Sequence, residues 1–195
     1  MKSGIRIALI VVALLVVIVG GSLIGGYNAL VDRDIAVDEA FTTIEGRLQQ
    51  RYDTIGQMVG AIEGLQEQQS EIYEMITDAR TQYLNAKQSG DVEALVEADA
   101  AQAEAMMQLL AIVESNPEGL NVGALYYTLM DTIASLENQL FVARRDYNEA
   151  VADYNVSTRR FPSVLYAQMF GFERELPYWR LSDGAGEVPV IDIGS

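Results

Sequence analysis

The sequence contains no cysteine and no histidine among its 195 residues. Without cysteine the chain can form no disulfide bond, thiolate nucleophile or cysteine-ligated metal site. Without histidine it lacks the commonest general base and metal ligand, which excludes Ser–His–Asp, Cys–His and His-Glu-x-x-His chemistry. No phosphate loop of the Gly-x-x-x-x-Gly-Lys-Ser/Thr type and no EF-hand spacing is present. An enzyme that uses only carboxylates remains an alternative, but the sequence selects no carboxylate pair, so we expect a non-enzymatic protein without a cofactor or metal.

Basic residues are also scarce, with 13 lysines and arginines against 28 aspartates and glutamates and a formal net charge of −15. Residues 1–31 contain two of the basic residues and none of the acidic ones, so the remainder carries a net charge of −17. Such a charge repels nucleic acid and anionic lipid headgroups. We therefore expect no nucleic-acid partner, and a bilayer contact that depends on apolar residues.

One long stretch, Ile7 to Val31, has no charged residue. As an α-helix its 25 residues extend over about 37 Å, enough to cross a hydrocarbon core of roughly 30 Å. Residues 1–31 are therefore predicted to be a short cytoplasmic stub and a single transmembrane anchor. A cleaved signal peptide is the alternative, but its apolar region is usually only about 7–15 residues and ends in an Ala-x-Ala-like site, which is missing here. Lys2 and Arg6 precede the stretch and acidic residues follow it, which predicts a cytoplasmic N-terminus and an extracytoplasmic bundle.

The anchor contains two overlapping small-residue spacings. Gly21 and Gly25 form a Gly-x-x-x-Gly pair, and Ser22 and Gly26 repeat the spacing one residue later. Such spacing permits close approach of two helices in lipid, so these four residues are predicted to mediate self-association. The alternative is that the glycines only soften the exit of the helix from the bilayer.

The remaining chain has the apolar spacing of amphipathic helices, near the heptad repeat of a coiled coil. Ser89-Gly90-Asp91 predicts a helix end followed by a new cap, and residues 159–163 predict the end of the last long helix. We predict an all-α fold with an antiparallel, four-helix-type bundle over residues 32–163. Two structures fit the sequence of residues 64–70: a turn between two helices, or one helix that continues through them. Residues 182–195 are predicted to be a flexible tail.

Residues 164–181 are rich in aromatic side chains, and an antiparallel bundle would return them towards the membrane. Tyrosine and tryptophan favour the headgroup level. The residues predicted to be membrane-proximal are Phe170, Phe172, Tyr178 and Trp179. The alternative is that these side chains make simple core contacts.

Two Tyr-Asn pairs, at 147–148 and 154–155, are seven residues apart and share a helix face. We predict that they fix the register of the bundle or form a docking surface, because polar residues at core positions do so. The full predicted set is Tyr27, Asn28, Arg144, Arg145, Tyr147, Asn148, Tyr154 and Asn155. Arg144, Arg145, Arg159 and Arg160 are expected to pair with helix carboxylates, with a phosphate or headgroup site as the alternative.

Several blocks resemble the LemA family of bacterial membrane proteins. The strongest is Ala143–Val151, Ala-Arg-Arg-Asp-Tyr-Asn-Glu-Ala-Val, followed by Arg-Arg-Phe-Pro-Ser at residues 159–163. Further similar blocks are Tyr27–Val31, Leu48–Arg51, Val113–Glu118 and Phe170–Phe172. The resemblance covers residues 1 to about 173, with one departure at Asp53–Val59, where the family's Pro-Asn is missing. It implies an N-terminal transmembrane helix in the bacterial inner membrane and a soluble helical bundle, and it implies no activity.

These features lead to two functional hypotheses. The first is a non-enzymatic, membrane-anchored scaffold that forms a homo-oligomer and organises a patch of membrane. The second is an adaptor that holds or presents another membrane protein, such as a protease.

Overall fold

The computed structural model describes residues 2–61, 69–115 and 122–180, and within these ranges the only regular elements are five α-helices. The helices are α1 (Lys2–Ala61), α2 (Gln69–Ser89), α3 (Val92–Ser115), α4 (Val122–Arg159) and α5 (Ser163–Phe170). The all-α prediction is confirmed. The predictions for most of residues 64–70, the turn after α3 and the tail 182–195 lie outside the described residues.

Helix α1 contains the apolar stretch and continues past it without a break. It is the one helix in the described chain that is long and apolar enough to cross a membrane. Its apolar side chains are exposed rather than packed into the protein, with Val17 73% exposed. The absence of buried side chains in the apolar window distinguishes this segment from the core helix of a soluble protein.

The chain divides into two compact units. The anchor unit comprises residues 1–40 and 147–177, and the bundle unit comprises residues 41–146 and 178–195. The division of the chain into four segments that the sequence suggests remains a prediction.

The bundle unit has a core to which four helices contribute. Its central cluster consists of Ile55 from α1, Ile76 from α2, Met106, Leu109 and Leu110 from α3, and Leu129 from α4. Arg47 of α1 donates a hydrogen bond to Gln139 of α4, whereas Ile55 shares a cluster with Leu129. Since the partner number falls as the α1 number rises, these two helices are antiparallel. A four-helix-type bundle is therefore present.

The connection between α2 and α3 is short because its residues suit a tight turn. Gly90 has a φ of +67°, a conformation that favours glycine, and its N–H donates to the Ala86 carbonyl at 3.1 Å. Asp91 Oδ1 accepts a hydrogen bond from the Glu93 N–H at 2.9 Å and caps α3. The predicted roles of Gly90 at the end of α2 and of Asp91 as the cap of α3 are confirmed.

The anchor unit packs the beginning of α1 against α5. Leu30, Tyr166 and Ala167 form its buried cluster, and Leu23 and Phe172 pack against them. Helix α4 ends at Arg159, as the sequence predicts, and α5 ends at Gly171, whose φ of +78° suits a left-handed C-cap. Residues 172–177, which follow, have no regular secondary structure and include a bend at Arg174; we call them the C-terminal segment.

Candidate functional site

An ion cluster lies inside the bundle unit, where apolar residues are expected. Arg51 on α1 is fully buried, and Asp99 on α3 is 1% exposed. Asp99 Oδ1 accepts from Arg51 Nη2 at 2.6 Å and from Arg144 Nη2, on α4, at 2.5 Å. One carboxylate oxygen thus joins two guanidinium groups and three helices.

Further groups complete the hydrogen bonding of Arg51. Its Nη1 donates to Glu137 at 2.6 Å, its Nε donates to Gln102 at 3.0 Å, and its Nη2 also reaches the Asp99 carbonyl at 2.8 Å. Glu137 also lies 4.0 Å from Arg144 and is partly exposed to solvent. Two arginines and two carboxylates balance in charge, which offsets much of the cost of burying them.

Trp179 adds a neutral donor to the same carboxylate. Its indole Nε1 donates to Asp99 Oδ2 at 3.2 Å, and the side chain is 3% exposed. Trp179 therefore makes a core contact in the bundle unit, and its predicted position near the membrane stays a prediction. Tyr178, predicted with it, is half-buried in the bundle unit.

The hydrogen bonds of the cluster connect side chains of different helices. Both oxygens of Asp99 are occupied by donors, so neither is placed to accept a proton from a substrate. Two buried donors, Gln102 Nε2 and Arg144 Nε, have no hydrogen-bond acceptor among the described residues. The cluster therefore joins α1, α3 and α4 through the carboxylate of Asp99.

In the anchor unit, side chains on one face of α4 bind backbone groups of the C-terminal segment. The Asn155 side chain donates to the Leu176 carbonyl at 3.0 Å and accepts from the Leu176 N–H at 2.7 Å. Thr158 Oγ1 donates to the Arg174 carbonyl at 2.9 Å. Residues 172–177 form no helix, so their backbone groups make no helical hydrogen bonds. The side chains of Asn155 and Thr158 act as hydrogen-bond partners for backbone groups of this segment.

The two tyrosines of the predicted face have the same role. The hydroxyl of Tyr147 donates to the Pro177 carbonyl at 3.0 Å, and that of Tyr154 donates to the Glu173 carbonyl at 2.9 Å. Burial raises the pKa of Tyr147 to about 12. Burial, together with the carboxylates of Asp34 and Glu173, raises the pKa of Tyr154 to about 12. Both phenols therefore remain neutral donors at physiological pH.

Burial and nearby acidic residues raise the pKa of one carboxyl group in the anchor unit. Burial, and then the nearby charges of Asp38 and Glu173, raise the pKa of Asp34 above its ordinary value. Glu175 forms an ion pair with Arg159. The predicted pairing of Arg159 with a helix carboxylate is thus corrected, because its partner lies in the C-terminal segment.

The small residues of the anchor divide into two rows. Ser22 Oγ lies 2.9 Å from the Tyr166 hydroxyl, and the Tyr166 ring packs directly against Gly26, where it leaves no room for a Cβ. By contrast, no described atom lies within 4 Å of a Cβ built at Gly21 or Gly25. Ser22 and Gly26 thus contact α5 of the same chain, and the self-association role of the four small residues stays a prediction.

Three of the aromatic residues that the sequence analysis singles out, Tyr27, Phe170 and Phe172, are in contact in the anchor unit. Tyr27 contacts Phe170 and Phe172 in edge-to-face arrangements, with ring centroids 4.8 and 5.8 Å apart. Asn28 is exposed, whereas both polar atoms of the Asn155 amide bond the backbone of Leu176 in the C-terminal segment.

The other predicted residues lie nearer the surface. Arg145 pairs with the adjacent Asp146 at 2.8 Å, and both side chains are more than half exposed. Asn148 is half-buried on α4. Arg144 pairs with Asp99, which agrees with the expected helix carboxylate.

Sequence reasoning identified Arg144 but missed the other members of the ion cluster, which are Arg51, Asp99, Gln102 and Glu137. Arg51 follows Leu48 by three residues and precedes Ile55 by four, which places a charged residue at a core position of the heptad. Asp99 and Gln102 similarly lie on the buried side of α3 between Leu95 and Met106. Charged residues at core spacing were the available signal for a buried pair.

These observations can be compared with known proteins. The sequence profile described as "LemA family" matches residues 40–192. The chain belongs to the LemA family. The matched range contains residues 41–146 of the bundle unit and every α4 residue that binds the C-terminal segment, so the family assignment covers both polar networks.

The chain is also similar to proteins named for magnetosomes. It is 24% identical over 208 aligned positions to "Magnetosome protein MamQ 2" of Paramagnetospirillum magneticum, covering 94% of this chain and 75% of that protein. It is 30% identical over 102 positions to "Magnetosome protein MamQ" of Magnetospirillum gryphiswaldense, covering 52% and 36%. Together with the apolar α1, these likenesses indicate a membrane-associated helical protein.

Proposed function

We propose that this LemA-family protein is a non-enzymatic, membrane-anchored scaffold that forms homo-oligomers through the uncovered glycine row of its anchor. The observation that carries the proposal is the contrast between the two small-residue rows. One row is in contact with Tyr166, whereas Gly21 and Gly25 are open. Open small residues at this spacing let the backbone of a second helix approach closely.

The row continues along the anchor with large apolar side chains. Leu14 and Ile18, at four- and three-residue spacing before Gly21, are 56% and 58% exposed. Helices in lipid associate by van der Waals packing, for which a surface of alternating large and small residues is suited. A second copy of α1 presents the same surface and is the simplest partner.

The arrangement of the polar groups supports a scaffold rather than an enzyme. The buried carboxylate of Asp99 is occupied by three side-chain donors, and the α4 face is occupied by the C-terminal segment of the same chain. Both networks hold helices and segments in place. A rigid module on a tether is what a scaffold requires.

The test is energy transfer between copies of the full-length protein in vesicles of phosphatidylethanolamine and phosphatidylglycerol. Because the chain contains no cysteine, a single exposed Phe141→Cys site can carry the donor or the acceptor dye. We expect transfer in the parent protein that falls on dilution with unlabelled copies. The variant Gly21→Leu with Gly25→Leu should lose most of it, because bulk in the row prevents close approach.

A matched control is Gly20→Leu. Its row already contains the large side chain of Ile24, so adding bulk there removes no close-packing surface. Unchanged transfer in the double variant, or equal loss in the control, would contradict the proposed interface. Absence of transfer in the parent protein would favour the adaptor hypothesis instead.

A further inference from the structure

We propose that α5 is a second membrane contact, which lies in the leaflet at the Val31 end of the anchor with one apolar row against the lipid acyl chains. The row consists of Leu165 and Met169 in α5, and Phe161, in the turn before the helix, is an exposed apolar side chain as well. This inference does not depend on self-association through the glycine row. It assigns a bilayer contact to a helix outside the transmembrane stretch.

The first observation is an exposed apolar row with no charge. Leu165 and Met169 are four residues apart on α5 and are 54% and 60% exposed, and Phe161 in the turn before the helix is 81% exposed. Helix α5 contains no charged residue. A helix of eight residues that exposes such a row to water is unusual, because exposed apolar patches mark interaction surfaces.

The second observation fixes the place of α5 along the anchor. Tyr166 contacts Ser22 and Gly26, and it shares a buried cluster with Leu30. Taking Val19, the centre of the apolar stretch, as the bilayer midplane, Ser22 lies roughly 4.5 Å and Leu30 roughly 16 Å beyond it. Half of a hydrocarbon core is about 15 Å. The residues of α1 that contact α5 thus extend from the acyl region to its boundary.

The polar groups of α5 suit this location. The Tyr166 and Ser22 hydroxyls bond each other, so neither is left without a partner in hydrocarbon. At the C-terminal end, the Gly171 and Phe172 N–H groups both donate to the Ala167 carbonyl. Arg160 before the helix and Arg174 after it are exposed, and arginines in such positions extend to the headgroups.

Lipid is favoured over a protein partner because the row is continuous with a surface already suited to lipid. The apolar side chains of α1 around the contact are themselves exposed, for example Ile24 at 66%. The negative charge of the remaining chain repels anionic headgroups. The contact therefore relies on apolar insertion rather than on charge, as at an interfacial helix.

The experiment uses full-length protein with a single Met169→Cys site carrying an environment-sensitive dye. The protein is placed in phosphatidylethanolamine–phosphatidylglycerol vesicles that contain lipids with a nitroxide on the acyl chain. Met169 is exposed, so the label leaves the core intact. We expect the dye to lose most of its fluorescence. The matched control is Phe141→Cys in the bundle unit, since Phe141 is 62% exposed and Met169 60%.

Preferential quenching at residue 169 supports the inference. Equal quenching at both sites, or a blue-shifted emission at 169 that nitroxide lipids do not quench, overturns it, and the latter result would indicate a protein cover. The measurement is repeated in the background of Gly21→Leu with Gly25→Leu. Quenching that persists there, together with loss of energy transfer, separates failure of the scaffold interface from failure of the α5 contact.

Discussion

The two units hold their parts together with different chemistry. In the bundle unit, charged groups bridge α1, α3 and α4 around the buried carboxylate of Asp99. In the anchor unit, neutral hydroxyl and amide groups on α4 bind backbone groups of the C-terminal segment. The charged side chains join helices whose backbone groups are already hydrogen-bonded within each helix. The neutral side chains instead bind a segment whose backbone groups need hydrogen-bond partners from outside the segment.

The difference has energetic consequences. Removing one member of a buried ion cluster leaves an uncompensated charge, which is costly in a medium of low polarity. Removing a neutral donor leaves at most an unsatisfied carbonyl. Substitutions should therefore have graded effects, largest in the ion cluster and smallest at single hydroxyl groups.

The largest effect is expected for Asp99→Ala. This change leaves Arg51 and Arg144 facing each other without their shared carboxylate, and we expect a loss of about 3–5 kcal/mol in the free energy of unfolding. Urea unfolding of the full-length protein in mild detergent measures it. As a control, Asp146→Ala removes the exposed partner of Arg145 and should cost less than about 1 kcal/mol.

A second variant separates lost charge balance from lost packing. Combining Arg51→Met, Asp99→Leu and Arg144→Met replaces the cluster with apolar side chains and leaves no unpaired buried charge. We expect this triple variant to be at least about 2 kcal/mol more stable than Asp99→Ala. A triple variant that is the less stable of the two would show that the ion cluster contributes net stability.

An intermediate effect is expected for Asn155→Ala in the anchor unit. Both hydrogen bonds to the Leu176 backbone are lost, and we expect a cost of about 2 kcal/mol. The same measurement on Asn85→Ala, an exposed asparagine on α2, subtracts the change in helix propensity. Equal stability of the two variants would mean that α4 does not hold the C-terminal segment through this side chain.

The smallest effect at neutral pH is expected for the hydroxyl groups of the two tyrosines, whose protonation influences stability only in alkaline solution. Their pKa values in the folded protein are about 12, whereas an unfolded tyrosine has a pKa of about 10. The folded state therefore binds these protons more tightly, so their contribution is complete below pH 10 and is lost as pH rises towards 12. Unfolding measured across this range should become less pH-dependent in the variant Tyr147→Phe with Tyr154→Phe.

Burial also raises the pKa of Tyr83 in the bundle unit, so part of the alkaline slope should remain in that double variant. The variant Tyr127→Phe removes an exposed hydroxyl and should leave the slope as it is in the parent protein. An unaltered slope in the double variant of the anchor unit would show that its two phenols do not titrate as their burial indicates.

Much of the fold follows from local pattern in the sequence. The apolar stretch of α1, the end of α4 at Arg159 and the turn at Gly90 each depend on residues close in the chain, and all three are found where the pattern predicts them. The likeness to the LemA family also depends on local blocks, and it is confirmed by the match to residues 40–192.

The polar networks could be predicted only in part, because their partners are distant in sequence. Asp99 meets Arg51 across 48 residues and Arg144 across 45, and no periodicity specifies such a pairing. The roles of Ser22 and Gly26 were likewise hidden, since the residue that contacts them, Tyr166, lies on the last helix. Sequence identified the face of α4 but not the segment that it binds.

The central claim is that the full-length protein self-associates in the membrane. The most direct test is the mass of the particle obtained when the protein is extracted into native nanodiscs with its own lipids. We expect an assembly of several copies that is reduced to single copies by Gly21→Leu with Gly25→Leu and retained in Gly20→Leu. A parent protein that is found only as a monomer would contradict the claim.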